Sequence, residues 1–361
     1  MERVLRVLIV DDSAYVRKVI KQMLSRSPFL DVVGTARSGE EALTMVEELR
    51  PDVVTVDLIM PGMGGLGFIR EQMARQPIPM VVVSIASETS QLVLDALDAG
   101  AIDFVQKPSA LATERVFEMS SELIEQVKSA GMVQMSHVAT LSTRPVVSVP
   151  QKPKPAPAKR PDTKSAFDVL VLGVSTGGPQ ALRYLIPQLP ATFPIPIAIV
   201  IHMPVGYTDL YAQKLNQISQ LEVTEAREGS PFRAGIVLIA PAGRHLKVTA
   251  GADGCIAAQL DARPFDSLHR PSADVLFSSA AEAFGSRVLG VVMTGMGSDG
   301  TDGARLIRAK GGRIFAEAEQ TCVVYGMPRS VVEAGLVDRI VPLDKLADAI
   351  TEVVYGQDSN H

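Results

Sequence analysis

Short apolar runs punctuate the first third of the chain: "VLRVLIV", "DVVGTA", "DVVTVDL", "MVVVSI" and "DFVQKP". Between them lie segments with helical spacing, such as "AYVRKVIKQMLSRS" and "SGEEALTMVEELR". Strands that alternate with helices at this pitch predict a parallel sheet covered on both faces. The last half repeats the pattern with "DVLVLGVS", "PIAIVIH", "GIVLIAP" and "RVLGVVMTG", joined by longer and more varied connections. One stretch breaks the rhythm. From Ser136 to Ala166 the chain carries Pro145, Pro150, Pro153, Pro155, Pro157 and Pro161 among scattered lysines. Proline at that density blocks helices and sheet ladders, so a semi-extended linker is expected, with an anion-binding tail as the other use of its cations. The expected division is a first domain over 1–130, a linker over 131–165 and a second domain over 166–357.

Composition sharpens this only slightly. A chain of 361 residues that is 47% hydrophobic can bury two cores. A net charge of −5 argues against general affinity for nucleic acid or an anionic membrane, though not against a local basic patch. Cys255 and Cys322 are too few for a disulfide scaffold or a zinc cluster and read as small buried hydrophobes. The opening "MERVLRVLIVDDS" meets two acids too early for a signal segment, and no apolar stretch approaches the roughly eighteen residues of a spanning helix. The expectation is a cytoplasmic protein with no membrane insertion.

Asp11 and Asp12 end the first apolar run and Asp57 ends the third. In a right-handed parallel sheet these ends converge on one edge, where ligands of open α/β sheets bind. Three carboxylates together are costly without a cation, and an oxygen-only set suits a hard divalent ion such as Mg2+. Ser84 closes the fourth strand and Lys107 the fifth, adding a hydroxyl and a fixed positive charge at the same edge. Pro108 restricts the backbone at Lys107 and offers a cis bond that would aim the amine. Acids at strand ends also serve as helix N-caps, which accounts for Asp11 or Asp12 singly but not for Asp57, Ser84 and Lys107 together.

These motifs, "VLIVDDS", "VDLIMPGMGG", "VVVSIAS" and "AIDFVQKP", resemble the response-regulator receiver domain over roughly residues 4–128. The resemblance implies that Asp57 accepts a phosphoryl group from a histidine kinase and that Asp11, Asp12 and Asp57 hold Mg2+. It further implies that Ser84 and Lys107 contact the phosphoryl group and that Phe104 is the switching aromatic. Gly64 departs from the pattern, standing where receivers carry an acidic or amide residue, which raises the question of how that loop is held.

"VLGVSTGGPQ" runs a strand into a glycine-rich turn that fits two chemistries, a phosphate cradle or an elbow exposing Ser175. "GVSTGG" has serine where a dinucleotide turn needs its second glycine, and no carboxylate follows in "LRYLIPQLPATFPIPIA". A nucleophilic serine needs a base, and the base an orienting acid. Of five histidines, His202 directly ends "PIAIVIH" and so shares the strand-end edge with Ser175. His137 lies by the linker and His361 is the last residue; His245 and His269 read as loop or helix-start residues. After "RVLGVVMTG" the loop "MGSDGTDGARLI" offers Asp299 to reach His202 and Asp302 as a helix-capping acid. The chain order serine, histidine, acid differs from that of the α/β-hydrolases, so the elbow spacing alone does not assign that fold.

The segments "GVSTGGP", "IHMP", "IAPAGRHLKV", "HRPSADVLF", "TGMGSDGTDGA" and "VYGMP" are similar to the chemotaxis protein-glutamate methylesterase family, and with a receiver in front the whole chain resembles its architecture. The implied fold class is α/β: an N-terminal (βα)5 receiver followed by a three-layer α/β/α domain with a mostly parallel sheet. The resemblance implies Ser175 as nucleophile, His202 as base and then acid, Asp299 as its orienting partner, and the backbone amide of Met296 in an oxyanion hole. Thr176 is carried only as a neighbour of the site. It implies a methyl-esterified chemoreceptor as substrate, with glutamine deamidation as a second reaction, and no cofactor for the esterase domain. An unphosphorylated receiver that restrains the esterase is expected. A non-catalytic phosphorelay adaptor, a nucleotide-dependent oxidoreductase and an esterase serving another chemosensory pathway are the alternatives; the first two leave the gathering of Ser175, His202 and Asp299 unexplained.

Overall fold

The computed structural model describes residues 3–85, 90–107, 115–133, 135, 165–250, 256–263 and 267–356. The chain divides into two compact units, one within Met1–Arg144 and the other within Pro145–His361. Residues 136–164 of the proline-rich stretch, with His137 among them, and Pro108, Cys255 and His361 lie outside the described residues.

The first unit alternates β1 (Leu5–Val10), α1 (Ala14–Leu24), β2 (Leu30–Ala36), α2 (Gly39–Leu49), β3 (Val53–Val56), α3 (Gly64–Arg75), β4 (Met80–Ile85), α4 (Ser90–Asp98), β5 (Asp103–Lys107) and α5 (Arg115–Gly131). Its five strands are parallel in the order β2-β1-β3-β4-β5. β3 is buried at every position, as a strand covered on both faces must be. Helix starts follow ordinary capping chemistry: the Ser13 and Ser38 side chains accept the Val16 and Glu41 amides. Gly64 sits at φ +65°, a left-handed position that asparagine, aspartate or glycine fills readily. The loop in question is fastened from outside, because Glu40 Oε1 accepts the Met63 N–H at 2.9 Å.

The second unit runs β6 (Val169–Val174), α6 (Gly178–Leu185), β7 (Ile197–Ile201), α7 (Thr208–Ile218), β8 (Glu222–Glu225), β9 (Ile236–Ile239), β10 (His245–Ala250), β11 (Ile256–Asp261), α8 (Ala273–Phe284), β12 (Val288–Val292), α9 (Thr301–Ala309), β13 (Arg313–Glu317), α10 (Met327–Glu333), β14 (Arg339–Val341) and α11 (Leu343–Val354). Seven strands form one sheet, β14-β13-β12-β6-β7-β9-β8, parallel at every pairing. β10 and β11 pair separately as an antiparallel ribbon that the sequence pattern did not announce. Val169, Val171, Phe277, Val288 and Ile314 belong to one buried cluster. From β6 the chain winds outward through β7, then returns to β12 on the other side. The carboxyl ends of β6 and β12 therefore flank a topological switch point, where open α/β sheets leave a crevice. Among the described residues no helix is long and apolar enough to cross a membrane.

Candidate functional site

In the second unit the three predicted groups come off neighbouring strands of the sheet. Gly173 lets α8 approach β6, since a Cβ there would lie 2.8 Å from the Ala273 Cβ. Gly177, at φ +77°, turns the chain so that the Gly178 N–H donates to the Ser175 carbonyl at 2.7 Å and α6 begins at once. Ser175 is held at the head of that turn, half-buried, with its own N–H donating to the Thr294 carbonyl at 3.0 Å. β6 and β7 pair Val174 with Ile201, and the His202 N–H donates to the Val174 carbonyl at 3.2 Å. Serine and histidine thus leave adjacent strands at the same level.

His202 Nε2 lies 2.8 Å from Asp299 Oδ2. Asp299 is ionised and can only accept, so Nε2 carries the proton and Nδ1 the lone pair. That Nδ1 is buried and has no hydrogen-bond partner among the described residues. Asp299 also accepts the Ser272 hydroxyl at 2.7 Å and the amides of Ala273 and Asp274 at 2.7 and 3.0 Å. Burial acts to raise its pKa, but the histidine, the hydroxyl and the amide donors outweigh it and hold the carboxyl well below the usual carboxylate range. Asp299 therefore caps α8 from a different loop as well as orienting the imidazole. The exchange is reciprocal: Asp274, on α8, accepts the Gly303 N–H of α9 at 2.8 Å. The expected cap, Asp302, is instead exposed and paired with Arg305 in the first turn of α9.

His269 lies in a loop, as the sequence suggested, but it also meets the site. Its ring stacks on His202, with centroids 4.0 Å apart and planes 19° from parallel. Partial desolvation and the neighbouring His202 lower its pKa to about 4, against the opposing effect of Asp299, although much of the residue is exposed. His245 starts β10, fully buried, and its Nδ1 accepts the Ser272 N–H at 3.2 Å, steadying the residue that donates to Asp299. The turn after β12 closes beside the serine. A Cβ on Gly295 would come 2.8 Å from the Ser175 Cβ, and the Gly295 carbonyl accepts the Gly326 and Met327 amides at 3.0 and 2.8 Å. Met296 follows, half-buried, and Thr176 is buried beside the serine.

In the first unit Asp11, Asp12 and Asp57 bring one carboxylate oxygen each within 4.8 Å of one another. Lys107 Nζ lies 2.6 Å from Asp11 Oδ2 and 2.7 Å from Asp57 Oδ2, buried with both. Burial raises the Asp11 pKa; Lys107 opposes the shift and Asp57 adds to it. One ammonium against three carboxylates leaves excess negative charge and an all-oxygen donor set, which fits a hard divalent cation. Ser84 and Phe104 are buried on adjacent strands, Ser84 paired in register with Gln106. Sequence reasoning missed Arg17, whose Nη1 donates to the carbonyls of Asp11 and Asp12 at 2.7 and 3.0 Å and so shapes the acidic corner.

Comparison with known proteins decides the family. A family model described as CheB methylesterase matches residues 170–350, and a response regulator receiver domain model matches residues 7–116. A protein-glutamate methylesterase/protein-glutamine glutaminase of Myxococcus xanthus is 47% identical over 94% of this chain and 95% of its own length. The chain belongs to the CheB methylesterase family. A Symbiobacterium thermophilum relative of the same description is 43% identical over 98% of both chains. The crystal structure of the Thermotoga maritima CheB methylesterase catalytic domain matches 52% of this chain and 99% of that one, with 41% identity and a TM-score of 0.51. The receiver and the α/β esterase fold are thus those of a CheB methylesterase. The signals for the supporting residues were faint: Ser272 sits in a Ser-Ala-Asp helix start, whereas nothing in the sequence marks His269 as the ring that meets His202.

Proposed function

We propose that this chain is a phosphorylation-activated protein-glutamate methylesterase that removes methyl groups from glutamate methyl esters of chemoreceptors and deamidates receptor glutamines. The observation that carries the reading is the carboxylate-imidazole pair Asp299–His202, with its basic Nδ1 left over, on the strand next to the Ser175 turn.

Ser175 Oγ attacks the ester carbonyl while His202 Nδ1 takes its proton, and the imidazolium is stabilised by Asp299. The tetrahedral oxyanion is held by the Met296 backbone amide, a type of contact worth about 3 to 4 kcal/mol of barrier. The proton on His202 passes to the departing methoxide, giving methanol and a glutamyl-Ser175 ester. Water, deprotonated by His202, attacks that ester; glutamate leaves and Ser175 regains its proton. With glutamine the leaving group is ammonia.

In the receiver, Asp57 takes a phosphoryl group from the histidine kinase of the pathway. Asp11, Asp12 and Asp57 hold Mg2+, which when bound offsets the negative charge of the phosphoryl group. Ser84 and Lys107 contact that group, and Phe104 responds to it. Charge added at Asp57 biases a two-state receiver toward the form that permits esterase activity. The working division is a receiver over 1–130, a linker over 131–165 and an esterase over 166–357, in the cytoplasm. Methanol release from methylated receptor should rise with a small-molecule phosphodonor plus Mg2+ and fail to rise in Asp57→Asn. A response to donor that survives Asp57→Asn removes Asp57 as the acceptor.

A further inference from the structure

Beneath the Ser175 turn lies a carboxyl group that the chemistry above does not use. Glu317, the last residue of β13, is fully buried. Its Oε2 accepts the Thr294 N–H at 2.9 Å and its Oε1 the Thr321 hydroxyl at 3.0 Å. Burial pushes its pKa up to about 7, and no cation pairs with it among the described residues. A carboxyl kept in so dry a place is expensive, and an apolar side chain would fill the space at less cost.

What it holds is Thr294, and Thr294 is the staple of the site. The Thr294 carbonyl accepts the Ser175 N–H at 3.0 Å, and its hydroxyl donates to the Thr176 carbonyl at 3.0 Å while accepting the Val324 N–H at 3.0 Å. The next residue is Gly295, whose backbone nearly touches Ser175. One residue thus joins the nucleophile's turn to the turn bearing Met296, and its amide is fixed by Glu317. From the far side the carboxyl is fastened through Thr321, whose hydroxyl oxygen accepts the Leu343 N–H at 3.0 Å.

We propose that Glu317 is a positioning residue of the esterase, setting the Ser175 turn and the Gly295–Met296 turn at the separation the tetrahedral intermediate requires. The inference rests on the reading of Ser175 as nucleophile. Misplacement of reacting groups by about 1 Å costs on the order of 100-fold in rate, so the effect belongs in kcat.

The test uses the full-length chain and methanol release from methylated receptor, with Ser175→Ala as control. Glu317→Gln keeps an oxygen for the Thr294 amide and an N–H for the Thr321 hydroxyl, whose proton then turns to the Ala318 carbonyl it already approaches at 3.2 Å. Glu317→Met fills the volume but holds neither group. Expected are a kcat within about 3-fold of wild type for Glu317→Gln and a loss of about 10- to 100-fold for Glu317→Met, with KM unchanged in both. Thr321→Val, which loosens the carboxyl without touching the serine turn, should lower kcat about 3- to 10-fold. A folded Glu317→Met with wild-type kcat overturns the proposal. Should Glu317→Met fail to fold, wild-type kcat in Thr321→Val overturns it instead. If Ser175→Ala matches wild type, the nucleophile reading itself has failed and takes this inference with it; if only Ser175→Ala is inactive and the Glu317 and Thr321 variants are normal, only this inference has failed.

Discussion

Asp299 meets His202 through Nε2, 2.8 Å away, while the same carboxylate caps α8 through the amides of Ala273 and Asp274. Orientation of the His202 ring is thereby tied to the start of a helix, and in the proposed mechanism the lone pair that takes the serine proton is on Nδ1. Asp299→Asn should lose about 10²- to 10⁴-fold in kcat, the range expected when acid-base help is disabled. It should also lower the melting temperature of the esterase, because the cap on α8 is weakened. Ser272→Ala removes one donor to the carboxylate and should cost about 10-fold in kcat. Steady-state kinetics with a thermal melt separates the two effects; an Asp299→Asn enzyme of normal kcat would rule out the acid's role.

The stack of His269 on His202 predicts a difference between two replacements. His269→Ala leaves the base ring unbraced and should reduce kcat, whereas His269→Phe retains an aromatic face and should retain more activity. Equal loss in both would mean that the imidazole nitrogens of His269, and not its face, matter.

In the receiver, Lys107 is the cation that keeps Asp11 and Asp57 together. Lys107→Met leaves buried carboxylates uncompensated, a change that typically costs about 3 to 5 kcal/mol. The receiver melting temperature should fall without Mg2+ and recover more steeply with added Mg2+ than in wild type, because binding to the folded state stabilises by mass action. A Mg2+ titration followed by calorimetry checks this, and identical titrations for the two proteins would contradict it.

Glu317 gives the stability of the esterase a pH dependence of known sign. Its folded pKa of about 7 lies above the ordinary 4.5, so the folded state binds the proton more tightly and stability falls as pH climbs from about 4.5 through 7. Asp274, raised by burial to about 6, acts in the same direction, whereas Asp299, held low, costs stability only on acidification. Glu317→Gln should make the decline in melting temperature between about pH 5 and pH 8 shallower. Parallel curves for variant and wild type would contradict the assignment.

Strand ends made much of both sites legible, each within its own sheet. Asp11, Asp57, Ser175 and His202 each follow an apolar run directly, and a parallel sheet brings such positions to one edge whatever the loops do. The supporting residues were hidden because their contacts depend on how separate elements dock. His269 meets His202 only after the chain has passed through β10 and β11, and the ribbon itself lacked a clear pattern. Asp299 and Asp302 are alike in sequence, both within the glycine-rich stretch where α9 begins; only the approach of α8 makes the first a shared cap, while the second stays on the surface in the first turn of α9. Glu317 ends a strand just as Asp57 does, but its partner is the backbone of the adjacent strand's extension, a contact no side-chain pattern reports.

The most direct measurement is methanol released from methylated chemoreceptor by the full-length protein and by Ser175→Ala, both treated with phosphodonor and Mg2+. The assignment of Ser175 as nucleophile requires steady release by the wild type and none above background in the variant. Release by Ser175→Ala at the wild-type rate would contradict it.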